Sequence, residues 1–176
     1  MTRPDYRASP GRLYGKYRGI CVDNQDPMQM GRIRVTVSDV SGLSPTAWAM
    51  PCLPAAGLQN GIFAVPPIGA GVWVEFEQGE ADQPIWVGGY WNAAEVPAMA
   101  RMVPTGVQAF TIQTPLQNGI TISDDPAPTG GILIRSSTGA TISVSAAGIE
   151  ISNGQGATIS LTGPTVDINS GALTVV

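Results

Sequence analysis

From Gly119 onward the chain repeats one small unit seven times: two apolar residues separated by a single residue, mostly small or polar. The pairs are Ile120/Ile122, Ile132/Ile134, Ile142/Val144, Ile149/Ile151, Ile159/Leu161, Val166/Ile168 and Leu173/Val175. Gly119, Gly131, Gly139, Gly148, Gly156, Gly163 and Gly171 sit between or just before them. Side chains of an extended strand alternate faces, so both members of each pair share one face. First members recur 12, 10, 7, 10, 7 and 7 residues apart. A single-chain β-helix of strict hexapeptide period does not read this way. Short glycine-turned strands, each with one apolar face, read as a stacked needle.

Those fourteen apolar side chains need a cover. The 58 residues from Gly119 to Val176 contain no aromatic residue and no second amphipathic element to supply one. A lone ribbon with one apolar face is not stable in water. Burying an aliphatic side chain is favourable by roughly 1.5–3 kcal/mol, so exposing fourteen forfeits on the order of tens of kcal/mol per chain. Winding three chains about one axis turns every stripe inward and hides the strand edges that would recruit other chains. The expectation is an intertwined trimeric β-helix, a β-prism needle, over 111–176. Its core is the seven pairs, stacked in about seven layers per face, and at roughly 4.7 Å per layer its length is about 33 Å.

The front of the chain reads differently. Residues 1–12 are an N-terminal arm, 13–92 a small barrel and 93–110 a linker. Tyr14 to Val22 is one strand-like run, closed by the turn cluster Asp23-Asn24-Gln25-Asp26-Pro27. In Gly31 to Val37, Ile33, Val35 and Val37 alternate with Arg32, Arg34 and Thr36. Thr46 to Leu53 is a further strand candidate with Trp48 and Met50 in register. Gly71 to Glu77 sets Val72, Val74 and Phe76 against Trp73 and Glu75, and Pro84 to Trp91 follows a turn. Five strands without a helical period between them fit a closed barrel of the OB type, making the chain all-β.

Charge is sparse, 12% of residues, and uneven. Through Val35 the chain carries Arg3, Arg7, Arg12, Lys16, Arg18, Arg32 and Arg34 against three aspartates, a net of +4; the remainder carries −8. Arg12, Lys16 and Arg18 are candidates for a face that docks an acidic partner. Cys21 and Cys52 lack metal-binding spacing and read as buried free thiols. The first twenty residues are polar and basic, so no signal peptide is expected, and no apolar run approaches the ~20 residues of a membrane span.

Imidazole chemistry is excluded, because the chain has no histidine. Glu75, Glu77 and Glu80 are carboxylates of the right type for a glycosidase, yet they read as a solvated strand face rather than a pair across a cleft. Asp124-Asp125 reads as a surface loop with too few oxygen ligands for calcium. No catalytic, cofactor or metal site is expected. Nucleic-acid binding by an OB fold needs basic residues beside stacking aromatics, and 36–92 contains no Lys or Arg. Trp48, Trp73, Trp86 and Trp91 are therefore expected in the barrel core and in contacts between barrels.

The barrel resembles the OB domain of the phage baseplate assembly protein V and valine-glycine repeat protein G (VgrG) families. The resemblance is carried by Tyr17-Arg18-Gly19-Ile20-Cys21-Val22-Asp23-Asn24-Gln25-Asp26-Pro27, Gly31-Arg32-Ile33-Arg34-Val35 and Trp48-Ala49-Met50-Pro51. It continues through Gly61 to Gly79 and Gln83-Pro84-Ile85-Trp86-Val87-Gly88-Gly89. It implies a homotrimeric central spike of a contractile injection system, whether phage tail, tailocin, type VI or extracellular machine. Such a spike is non-enzymatic, made in the cytoplasm and assembled into a baseplate. Its barrel end would meet a separate trimeric hub through Arg12, Lys16 and Arg18, and its needle end would enter the target envelope. Leu173, Val175 and Val176 would leave apolar edges for a PAAR-type tip protein. The rival readings are a carbohydrate-binding or carbohydrate-cleaving tail fibre and an OB-fold nucleic-acid binder.

Overall fold

A computed structural model describes residues 11–126 and 130–175. The chain divides between Ala94 and Glu95 into two compact units, one built as a barrel and the other as a single long sheet.

The first unit contains β1 (Tyr17–Asp23), β2 (Arg34–Thr36), β3 (Met50–Pro51), a small hairpin of β4 (Ala56–Gly57) and β5 (Asn60–Gly61), then β6 (Gly71–Phe76) and β7 (Pro84–Tyr90). One turn of helix, α1 (Ser38–Ser41), follows β2. The five-stranded sheet runs β2-β1-β6-β7-β3, antiparallel except for the parallel pair of β3 and β7. Its two edges meet. Ile33 and Ala49 exchange both backbone hydrogen bonds, at 3.2 and 2.7 Å, and the Thr46 N–H donates to the Val35 carbonyl at 2.8 Å. Closure removes the free edge that an open sheet would present.

The alternation in the sequence sets which side chains fill the barrel. Ile33, Val35 and Val37 from one run, and Val72 and Val74 from another, are fully buried with Cys21 and Ala49; Phe76 and Trp86 complete the core. Only one tryptophan belongs to that core. Trp86 is buried, and its indole N–H donates to the Gly31 carbonyl at 3.1 Å. Gly31 presents that carbonyl from the left-handed region, at φ +76°, where glycine carries no Cβ penalty. Trp73 and Trp48 lie on outward-facing positions under arginines, and Trp91 is 65% exposed.

The strand expected over Thr46–Leu53 shrinks to Met50–Pro51, with Thr46 and Ala49 the buried residues and Met50 exposed. Pro51 removes an N–H donor within this stretch and Pro45 and Pro54 remove one at either border, which interrupts a continuous ladder. Cys52 is exposed rather than buried, and Cys21 alone is the buried thiol.

The second unit begins with one helical turn, α2 (Ala98–Arg101), and continues as β8 (Ala109–Gln113), β9 (Gly119–Ser123), β10 (Gly131–Arg135), β11 (Thr141–Ser145), β12 (Gly148–Ser152), β13 (Thr158–Thr162), β14 (Thr165–Ile168) and β15 (Leu173–Val175). These eight strands form one antiparallel meander in which each pairs with its sequence neighbours. The ladder hydrogen bonds are therefore met inside one chain. What the chain leaves unmet is a cover for its apolar face. Among the described residues no helix is long and apolar enough to cross a membrane.

Candidate assembly surface

The seven apolar pairs of the repeat, joined by an eighth, line up in register across the meander. Phe110, Ile122, Ile132, Val144, Ile149, Leu161, Val166 and Val175 are successive cross-strand partners and make one column. Ile112, Ile120, Ile134, Ile142, Ile151, Ile159, Ile168 and Leu173 make the second. The alternating spacing puts both columns on one face, and the direct pairing brings neighbouring Cβ atoms to roughly 5 Å.

The stripe is open. Fourteen of its sixteen members keep between 37% and 60% of their surface exposed, and Val166 and Ile168 are half-buried. Covering the remainder is worth roughly 10–20 kcal/mol per chain if each side chain recovers about two-fifths of its full burial energy. Monomeric proteins rarely leave so continuous an apolar face in water. The sheet is built to be covered.

The first rung, Phe110 and Ile112, falls outside the glycine-punctuated repeat. Ile112 lies within the needle expected from residue 111, but Phe110, which has the same one-residue spacing from it, falls in the expected linker, hidden by the lack of a preceding glycine and by the aromatic ring.

The opposite face carries Thr111, Thr121, Leu133, Ser143, Glu150, Ser160 and Asp167, polar but for Leu133, and Thr121 on it is buried. The Thr111 and Thr121 hydroxyls bond each other at 3.1 Å. Met99 of α2 is buried near the first rungs on this unit, and its N–H donates to the Gln113 side-chain carbonyl at 2.9 Å. An open crevice of about 570 Å³ runs from Met99, Met102 and Val103 to Leu133 and Glu150.

On the barrel, two of the basic residues expected to dock a partner already have partners. Arg12 pairs with Glu80, and Lys16 reaches Glu75 at 2.6 Å. Arg18 instead lies over the rings of Trp73 and Tyr90, at 5.3 and 5.2 Å from their centroids, and those rings are 5.2 Å apart. Arg18 remains exposed on an aromatic platform. Glu75 and Glu80 are thus engaged with cations and do not form a facing catalytic pair.

Arg32 organises the loop between β1 and β2. Asp26 accepts from Arg32 Nε and Nη2, at 3.1 and 2.6 Å, and from the backbone N–H groups of Met28, Met30 and Arg32. The guanidinium, foremost among these donors, holds the Asp26 carboxyl well below the usual carboxylate range. Burial pushes the Cys21 thiol up. Among the described residues no cluster of three or more His, Cys, Asp or Glu could hold a metal ion.

At the needle end, Leu173 and Val175 are 55% and 56% exposed on β15, which has a strand partner on one side only among the described residues; Val176 lies outside them. No curated protein gives a significant match to the chain. Two family models match it in tandem. The type VI secretion system/phage-baseplate injector OB domain matches residues 17–91, and the phage baseplate V C-terminal trimerisation domain matches residues 109–174. The first match coincides with the closed barrel and the second with the eight-stranded meander and its open stripe. A trimerisation domain is what that uncovered face requires, and the chain belongs to the phage baseplate V family of VgrG-like spike proteins, structural components of the baseplate.

Proposed function

We propose that the chain is the membrane-piercing central spike of a contractile injection system, mounted on the baseplate axis as a non-enzymatic homotrimer. The observation that carries this reading is the continuous stripe of sixteen apolar residues, two columns of eight in register, open along its whole length. Three such faces turned to one axis bury all of it and leave Ser and Thr outward. The resulting shaft is sheet-built, stiff and low in charge.

In this reading the barrel end meets a separate trimeric hub. Arg12 and Lys16 are engaged with Glu80 and Glu75, so Arg18 on its Trp73/Tyr90 platform is the cation most available to an acidic hub surface. The Leu173 and Val175 edge takes a PAAR-type tip protein, and sheath contraction drives that end into the target envelope. Electron microscopy of the assembled particle tests the assignment. Density on the tube axis below the hub that disappears when this chain is deleted is expected; unchanged axial density in the deletion contradicts it.

A further inference from the structure

The two edges of the meander differ, and the difference points to how three chains close. Along one edge the strands are joined by wide loops: 114–118, 136–140, 153–157 and 169–172. Along the other edge, Ala146-Ala147 and Gly163-Pro164 turn the chain in two residues, next to the longer 124–130 connection. The column beside the wide-loop edge is seven isoleucines ending in Leu173, whereas the other column mixes Phe, Ile, Val and Leu.

The wide loops also touch one another. The Ser137 N–H donates to the Asn118 side chain at 2.9 Å, and the Thr158 N–H to that of Asn169 at 2.9 Å. Between these links, a Cβ added to Gly154 would lie 2.6 Å from the carbonyl carbon of Gly139. The wide-loop edge is a stacked wall rather than a row of separate tips. Neither edge carries a charge in this region, since 136–148 and 151–166 contain no Asp, Glu, Lys or Arg.

We infer that the trimer closes by a seam between unlike edges, the loop wall of one chain lying against the tight-turn edge of the next. This rests on the homotrimer of the preceding section and specifies its interface. Each chain contributes one whole face of the prism, because its strands are already paired with one another. Rotation about an axis parallel to the strand stack keeps every residue at its own level. Ala146-Ala147 joins the fourth and fifth strands of the meander, so it stands level with the junction of the loops that join the third to the fourth and the fifth to the sixth. That junction is the Gly139–Gly154 contact. Four residues with no side chain beyond Cβ thus meet at one height, where two backbones can approach closely. Gly163-Pro164 falls in the same way opposite the Thr158–Asn169 link. A heterologous contact of this kind closes at three copies, whereas two faces stacked about a two-fold axis would join like edges.

Cysteine cross-linking distinguishes these arrangements. In the full chain with Cys52→Ser, the exposed residues Ala147 and Gln155 are changed to cysteine singly and together, then treated with a bis-maleimide shorter than the about 17 Å width of a five-residue strand. The double variant is expected to run as a covalent trimer, and each single variant as an uncross-linked chain. A covalent dimer from either single variant, meaning that like edges meet, overturns the seam. So does a double variant that stays uncross-linked while sedimentation reads a trimer. A double variant that sediments as a monomer before cross-linking overturns the homotrimer itself, and the two failures are thereby separated.

Discussion

Ile134 and Ile142 are direct cross-strand partners on β10 and β11, and each leaves about two-fifths of its surface, 41% and 42%, open on the same face. Two β-branched residues paired this closely stabilise the local ladder, yet neither is shielded. The same relationship holds along the whole meander. Assembly therefore follows from one face of one sheet.

Replacing Ile142 by Glu places a carboxylate in the middle of that face, and three of them near the axis of the trimer. The expected cost is about 3 kcal/mol or more for each chain, roughly a hundredfold per chain in the association, because the charge is desolvated without a partner. Size-exclusion chromatography with light scattering at micromolar concentration should read monomer. Ser143→Lys, one residue away on the outer face and directly opposite Glu150, should remain a trimer.

Phe110 tests whether the stripe begins where the structure puts it. Phe110→Ala should lower the stability of the needle by about 2 kcal/mol, less than a fully buried Phe would cost, since an end rung is covered on one side only. The thermal midpoint of the full chain reads the loss. A midpoint equal to the parent's would place β8 outside the covered face.

How far all this was legible in the sequence depends on the element. The period-two alternation of Ile33/Val35/Val37 and of Val72/Val74 gave the barrel core directly, because a strand with one buried face leaves that pattern in the residues. The seven later pairs of the stripe were readable for the same reason. The tryptophans were not, since an indole fits equally a core position, as Trp86 does, or an outward platform under an arginine, as Trp73 does. Nor were the salt bridges of Arg12 and Lys16, whose partners lie 68 and 59 residues away. Composition gives the charge of the front segment, but only the fold shows which carboxylates neutralise it.

The Asp26 clasp carries a pH dependence of definite sign. Its carboxyl titrates below the unfolded value of about 4, so its stabilisation is fully present above that pH and is lost as the pH falls further. Asp26→Asn should lower the unfolding midpoint at pH 7, and the gap between parent and variant should close progressively below about pH 4. A gap that stays constant from pH 7 to pH 2 would contradict the ion pair with Arg32.

The two thiols should differ sharply. Cys21 is fully buried with its pKa raised by desolvation, and Cys52 is exposed. A thiol reagent at pH 8 is expected to modify Cys52 rapidly and Cys21 only after denaturant is added. Rapid native modification of both would show that the barrel opens.

The central claim is that the sixteen-residue stripe is covered by two further copies of the same chain. Sedimentation equilibrium of the purified 176-residue chain across micromolar concentrations measures this directly. The account predicts a single species of three times the chain mass that persists on dilution, and a folded, stable single chain over the same range would contradict it.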